Sequence, residues 1–142
     1  MQIARARGVK VDALVSRGAQ VAFAREHGAD VVATERHAFQ ERNYDAVFDT
    51  FGAFVTEAVA DGGRYASIAT QAGPVPDLSS RDVRTTVHQV QEDGAGLNEL
   101  TKLVDSGALQ VRVHATFGLR EIHAAHARFL QGRLAGKIAV VF

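Results

Sequence analysis

The sequence predicts an α/β fold in which helices cover a mostly parallel sheet. Along the 142 residues, short runs of β-branched and aromatic residues alternate with segments whose apolar residues recur at helical spacing. Glycines or turn clusters follow most of these runs, as expected where an element ends. The length fits a single domain over residues 1–142, and the chain shows no repeat or interdomain linker.

The first half of the chain is predicted to hold four strands and two helices. Valine-rich or alternating segments predict the strands Val9–Val15, Val31–Thr34, Tyr44–Thr50 and Arg64–Ala69. Helical spacing predicts the helices Ala19–His27, which stops at Gly28, and Phe54–Ala60. The sequence Asp61-Gly62-Gly63 is a turn signal before the fourth strand.

The second half begins with a loop over Thr70–Ser80, which contains both prolines. Helix Ala95–Asp105 carries one apolar face and ends before Gly107. The remaining predicted elements are the strand Val83–Val90, the strand Leu109–Ala115, the helix Leu119–Leu130 and the strand Lys137–Phe142.

Composition excludes several function classes. The absence of cysteine excludes disulfides, thiolate zinc sites and a thiol nucleophile. Sixteen basic and sixteen acidic residues are interspersed, which predicts no nucleic-acid or membrane partner. There is no signal-peptide pattern and no apolar run of about 18 residues, so we expect a cytoplasmic protein.

Six phrases in fixed order resemble the carboxyl-terminal half of medium-chain dehydrogenase/reductases, and the quinone oxidoreductase and enoyl reductase branch fits best. The phrases are ARARGVKVDALVS, REHGAD, YDAVFDTFG, DGGRYASIA, LTKLVDSGALQVRVHATFGL and AHARFLQGRLAGKIAVV. The resemblance implies a truncated Rossmann-like domain and an NADPH-dependent quinone or enoyl reductase. It also implies an amino-terminal catalytic domain, a first strand and a glycine-rich loop, none of which these residues contain.

The missing first strand would be central in the strand order 3-2-1-4-5-6, so the strands at Val9 and Tyr44 would each lose a neighbour. Because buried unpaired amides are costly, the sheet must be repaired. The two strands can close on each other, another strand such as Leu109–Ala115 or Lys137–Phe142 can move in, or a second chain can supply one. Since exposed edges favour self-association, we predict a homodimer formed by strand pairing or exchange. A complementing catalytic-domain chain is the other partner that the resemblance suggests.

The resemblance also implies where a cofactor binds. Ser16 and Arg17 follow the predicted strand Val9–Val15, at the place where the family contacts the adenosine ribose. A serine-arginine pair there suits the 2′-phosphate of NADP. The alternative is a polar turn with a solvated arginine. The other predicted cofactor-binding residues lie at the carboxyl ends of two further strands, beside the crevice of an open α/β sheet. They are Thr50 with Phe51, and Ile68 with Ala69.

His88 and Asp49 are the predicted catalytic residues. His88 stands with Gln89 where family members commonly have aromatic side chains, and an imidazole there can transfer a proton. Asp49 ends a strand at the same crevice, and its alternative role is to cap the following turn. His123 and His126 share a predicted helix face but lack a third ligand, so no metal site is predicted.

Asp12 is a carboxylate inside an apolar strand. Such a carboxylate requires either a buried partner or a solvent-exposed position at the edge of the sheet.

Two other functions stay open from the sequence. The first is a non-redox enzyme or binding protein that uses the crevice for a small apolar metabolite, with a pocket at Asp49, Phe51, Ile68, His88 and the loop Pro74–Pro76. The second is a non-catalytic fragment whose exposed strands serve association.

Overall fold

A computed structural model of the chain describes residues 1–40 and 43–142. The described residues form two compact units, of which the larger contains Met1 and residues 3–93 and the smaller contains Gln2 and residues 94–142. The single domain over residues 1–142 stays a prediction. Within the described ranges, no helix is long and apolar enough to cross a bilayer.

The described residues of the larger unit form two helices and five strands. Its helices are α1 (Gln2–Ala6), apart from Gln2, and α2 (Val21–Glu26), and a 3-10 turn at Gly18–Gln20 leads into α2. Its strands are β1 (Ala13–Leu14), β2 (Val32–Ala33), β3 (Tyr44–Asp49), β4 (Val59–Ser67) and β5 (Arg84–Val87). Three small buried clusters, centred on Ala24, Phe39 and Tyr65, form its core.

The smaller unit contains α3 (Gly94–Asp105), β6 (Val113–Gly118), α4 (Ile122–Leu130) and β7 (Lys137–Val141). The strands β6 and β7 pair in parallel, and α4 connects them. Ala125 of α4 is buried, whereas α3 has no buried residue.

Every strand pair is parallel, which confirms the predicted α/β fold with a mostly parallel sheet. The strands form three separate sheets, with the orders β1-β2, β3-β4-β5 and β6-β7. The strands β1 and β3, which the sequence places on either side of a missing strand, therefore do not pair through their backbones. The proposed repair by Leu109–Ala115 or Lys137–Phe142 is not seen, because those segments contribute β6 and β7, which pair with each other.

Two predicted elements are wrong for local reasons. The helix Phe54–Ala60 is only a 3-10 turn at Thr56–Ala58, because Phe54 has a φ of 49°, which no right-handed helix accommodates. The strand Leu109–Ala115 instead begins at Val113, because the amide of Leu109 donates to the carbonyl of Leu103 and completes the end of α3.

The Asp61-Gly62-Gly63 turn signal falls inside β4. There Gly62 has a φ of 74°, and the register against β3 shifts after the pair Tyr44 and Val59. The local turn chemistry is present, but it makes a bulge that interrupts one strand. The turn therefore does not separate a helix from a strand as predicted.

Candidate functional site

The carboxyl ends of β3, β4 and β5 meet in one row. Asp49 pairs with Ser67 across the first ladder, and Ser67 pairs with Val87 across the second. The backbone continues this alignment one residue further, because the amide of Ile68 donates to Asp49 at 3.0 Å and that of His88 donates to Ser67 at 2.8 Å. In an open parallel sheet, this edge is where ligands bind.

Asp49 is the centre of a dense hydrogen-bond cluster. Its Oδ1 accepts from the amides of Phe51 at 2.9 Å and Gly52 at 2.7 Å. Its Oδ2 accepts from the amide of Phe54 at 2.9 Å and from the Tyr65 hydroxyl at 2.7 Å. The Asp49 side chain is 7% exposed, so this carboxylate replaces water with donors from its own chain.

These contacts decide the protonation state of the cluster. Burial raises the pKa of Asp49, but the donors from Phe54, Phe51, Tyr65 and Gly52 outweigh burial and lower the pKa to about 2. Burial, together with the hydrogen bond to Asp49, raises the pKa of the Tyr65 hydroxyl. Asp49 is thus ionised at neutral pH with both oxygens occupied, which favours the turn-capping role over the catalytic one.

The lowered pKa makes stability depend on pH. The carboxylate has a pKa of about 2 in the folded chain against 3.8 for the reference group, so its contribution is complete above about pH 4 and is lost as pH falls toward 2. We expect the larger unit to lose roughly 2 kcal/mol over this range through Asp49. Urea unfolding at a series of pH values measures the loss.

The variant Asp49→Asn provides the control for the pH dependence, because it removes the titrating group. Its unfolding free energy is expected to change less between pH 4 and pH 2 than that of the parent chain. Parallel pH profiles for the two proteins would contradict the assignment.

A cavity of about 330 Å³ lies beside the row, at the ends of β4 and β5. It is lined by Ser67, Ala69, Gly73, Pro74, Val75 and Val87. The lining is apolar except for Ser67, which is 1% exposed and whose hydroxyl accepts from the amide of Ala69 at 3.1 Å. Such a cavity suits a small, largely apolar group with one hydrogen-bonding atom.

The structure brings only part of the predicted pocket to this cavity. Ala69 and the loop residues Pro74 and Val75 line it, whereas Phe51 is 77% exposed and Ile68 is 47% exposed outside the lining. Thr50 and His88 are exposed as well, and neither lines the cavity. The cofactor and catalytic roles of these residues stay predictions.

The carboxyl end of β1 carries the predicted ribose site. Ser16 and Arg17 are both exposed there. The hydroxyl of Ser16 and the amide of Arg17 each donate to Oε1 of Gln20 at 3.1 Å, which fixes the turn before α2. The sequence analysis missed Gln20. A glutamine three residues after the N-cap residue Arg17, at the start of helical spacing, is the capping signal that identifies it.

Tyr65 is the other residue that the sequence analysis missed. It is fully buried and packs with Val59, Leu78 and Val83 in one core cluster. Its hydroxyl is the only side-chain donor recorded to Asp49 among the described residues. No sequence signal pairs these two, because they lie sixteen residues apart on two different strands.

The described histidines do not form a metal centre. Within residues 1–40 and 43–142, no group of three His, Cys, Asp or Glu side chains is placed to hold an ion. His123 and His126 are both exposed on α4.

Several solved structures share this fold. An NAD-dependent alcohol dehydrogenase superimposes with a TM-score of 0.80 at 22% identity, over 99% of this chain and 46% of that one. Mycobacterial Rv1454c complexed with NADPH superimposes with a TM-score of 0.74 at 24% identity, over 99% of this chain and 51% of that one. A probable oxidoreductase from Mycobacterium abscessus superimposes with a TM-score of 0.75 at 29% identity, over 99% of this chain and 49% of that one. The chain spans about half the length of these structures.

The fold and the position of the crevice thus define a Rossmann-type α/β domain. The sequence profile of the zinc-binding dehydrogenases matches residues 17–140, and the chain belongs to that family. This finding confirms the resemblance to the cofactor domain of medium-chain dehydrogenase/reductases. No curated protein sequence matches the chain.

Proposed function

We propose that the chain is the nucleotide-binding half of an NADPH-dependent reductase that acts on quinones or on enoyl and enone groups. The observation that carries the proposal is the pair Ser16 and Arg17, exposed at the carboxyl end of β1 with its turn fixed by Gln20. A guanidinium and a hydroxyl at that place suit the 2′-phosphate of NADP, because arginine binds phosphate through two parallel hydrogen bonds.

The residues present fit the two ends of the dinucleotide better than its middle. Ser16 and Arg17 would hold the adenosine end, and the cavity between Ser67 and Val87 would hold the nicotinamide end. Within the described residues, no glycine-rich loop offers backbone amides to the pyrophosphate between them. NADPH supplies a hydride when it is bound. His88, exposed at the end of β5, would supply the accompanying proton to the reduced substrate.

The preference for NADPH is tested with the variant Arg17→Ala. We expect about tenfold weaker NADPH binding, because one charge-assisted contact to phosphate is lost, and little change in NADH binding. Titration followed by the fluorescence of the reduced nicotinamide measures both dissociation constants.

Arg25→Ala is the matched control, since Arg25 is also exposed and lies on α2, away from the turn at Ser16. The proposal fails if Arg17→Ala and Arg25→Ala weaken NADPH binding equally, or if the parent chain binds neither nucleotide at millimolar concentration.

A non-redox role in binding or converting a small apolar metabolite is the second candidate. It is favoured by the apolar lining of the cavity. The nucleotide titration separates the two candidates, because this role requires no nucleotide. Mass spectrometry of small molecules that co-purify with the chain would then identify the ligand class.

A further inference from the structure

The smaller unit contains a histidine that interrupts the regular pairing of its sheet. Val113 and Ala115 of β6 pair with consecutive residues of β7, so His114 is an extra residue between them. Such a β-bulge is rare in parallel sheets, and it changes the direction of the side chain that it carries. The imidazole of His114 lies against α4, where Nη2 of Arg128 is 2.7 Å from Nε2 of His114.

Two donors face this imidazole. A guanidinium can only donate, so Nε2 of His114 accepts from Arg128. The amide of Ala135 points at the other ring nitrogen, Nδ1, from 3.4 Å. A neutral imidazole accepts at one nitrogen, and the shorter contact assigns that role to Nε2. A protonated ring would present a hydrogen to each donor, so the arrangement accommodates the neutral ring only.

The charged side chains on the segments around the ring are all basic. They are Arg112 before β6, Arg128 on α4, Arg133 in the turn after α4 and Lys137 at the start of β7, and α4 also carries His123 and His126. Glu121, the one carboxylate between residues 106 and 142, accepts from the amide of Gly118 at the far end of β6. Among the described residues, the half-buried Arg128 forms no ion pair.

The turn that completes this basic cluster has a strained backbone. Arg133 has a φ of 53°, in the left-handed region that side chains other than glycine rarely adopt. Gly136 has a φ of 135°, and an added Cβ there would be 2.4 Å from the carbonyl oxygen of Arg112. The turn is therefore held tightly against the start of β6. Strained backbone of this kind is concentrated at functional segments, including those that hold ligands.

We propose that Arg128 and His114 bind a divalent tetrahedral oxyanion, sulfate or a phosphoryl group, and that His114 takes up one proton from solvent when the anion binds. The anion replaces Nε2 as the acceptor for Arg128, and the protonated Nε2 then donates to the same anion. Arg128 and the protonated ring together carry two positive charges, which a dianion balances and a single carboxylate does not. Arg133 and Lys137 add attraction at longer range.

This proposal goes beyond the proposed reductase function and does not depend on it. The residues proposed to hold the nucleotide belong to the larger unit, whereas His114 and Arg128 belong to the smaller one.

Sulfate is the probe that tests the proposal on the full chain, because its charge stays constant between pH 5.5 and pH 7.5. It is titrated at constant ionic strength, balanced with chloride, and binding is followed by the NMR shifts of the His114 ring and the Ala135 amide. We expect about fivefold tighter binding at pH 5.5 than at pH 7.5, because binding is linked to proton uptake by a histidine. Chloride alone is expected to leave both signals unchanged.

The variant His114→Gln identifies the group that takes up the proton. Glutamine keeps an oxygen that accepts from Arg128 but does not titrate, so the pH dependence of sulfate binding is expected to disappear. His123→Gln is the matched control, since His123 is exposed on α4 and its loss is expected to leave the pH dependence intact.

The variant Arg128→Ala is expected to weaken sulfate binding at pH 5.5 about tenfold, because the charged partner of the anion is lost. Arg120→Ala is its control, since Arg120 is exposed beyond the far end of β6 and its loss is expected to have little effect. Arg128 also donates to the carbonyl of Gly132 at 3.0 Å. The amide signal of Val140 therefore reports whether the sheet stays folded in each variant.

Inorganic phosphate and phenyl phosphate, compared at pH 7.5, distinguish the sources of the anion. Tighter binding of phenyl phosphate assigns the site to a phosphate ester, whereas equal or tighter binding of inorganic phosphate assigns it to the free ion. Three results would overturn the proposal: no response to tens of millimolar sulfate, an equal response to chloride, or an unchanged pH dependence in His114→Gln. None of these readouts involves NADPH, so they are independent of the proposed reductase function.

Discussion

Replacing Asp49 by asparagine is expected to lower the free energy of unfolding of the larger unit by roughly 3 kcal/mol. The carboxylate accepts from three backbone amides at 2.7–2.9 Å and from the Tyr65 hydroxyl at 2.7 Å. An asparagine supplies one oxygen and turns its amino group toward the two donors on the other side, so at least one backbone amide loses its acceptor inside a buried site. Urea unfolding at neutral pH, followed by tyrosine fluorescence, measures the effect, since both tyrosines lie in this unit.

Asp45→Asn is the control for this substitution. Asp45 lies on the same strand and is exposed, so its loss is expected to change the unfolding free energy by less than about 0.5 kcal/mol. If the two variants unfold at the same urea concentration, the cluster around Asp49 does not stabilise the turn.

Replacing Gly52 by alanine is expected to destabilise the same unit by roughly 3 kcal/mol, for a steric reason. Gly52 has a φ of 85°, and an added Cβ would lie 2.1 Å from the Cβ of Ala72. The turn that follows β3 and the segment that follows β4 approach each other too closely for any side chain here. Relief requires backbone movement, which would disturb the amide that Gly52 donates to Asp49. The measurement is again the urea midpoint.

Gly62→Ala separates the clash from the cost of the backbone conformation. Gly62 has a similar φ of 74°, but nothing lies within 4 Å of an added Cβ. Its substitution is expected to cost about 1 kcal/mol, which is the strain alone. Equal losses at Gly52 and Gly62 would show that the contact with Ala72 contributes nothing.

Where the chain carries strong local signals, the fold follows from the sequence. The predicted helix Ala95–Asp105 and the predicted strand Tyr44–Thr50 each differ from the observed element by one residue at one end. The predicted helix Leu119–Leu130 consists of a 3-10 turn at Leu119–Glu121 followed by α4. The prediction fails where a distant contact overrides local preference. Phe54 has helical spacing, but its amide is held by Asp49 and its backbone is left-handed, so the helix expected there is reduced to one turn.

The site is predictable only in outline. The crevice at the strand ends follows from the parallel order, and Ala69, Pro74 and Val75 line the cavity beside it. The role of Asp49 is not readable from the sequence, because a strand-ending aspartate can be a base or a cap. Its partner Tyr65 looks like an ordinary strand residue. The environment of Asp12 is likewise not readable from the sequence. This half-buried carboxylate accepts hydrogen bonds from the amide of Val31 and the hydroxyl of Tyr44, which belong to two other segments of the chain.

The sequence by itself determined the parallel α/β architecture and the family. These depend on periodicity and on the order of elements, which are properties of the chain read along its length. Only the tertiary structure decided that β1 and β3 remain apart, joined by the Asp12 and Tyr44 side chains and the cluster around Phe39. The physical reason is that backbone pairing, burial and protonation depend on contacts between residues that are distant in the sequence. The local pattern of residue types does not show which of these residues come into contact.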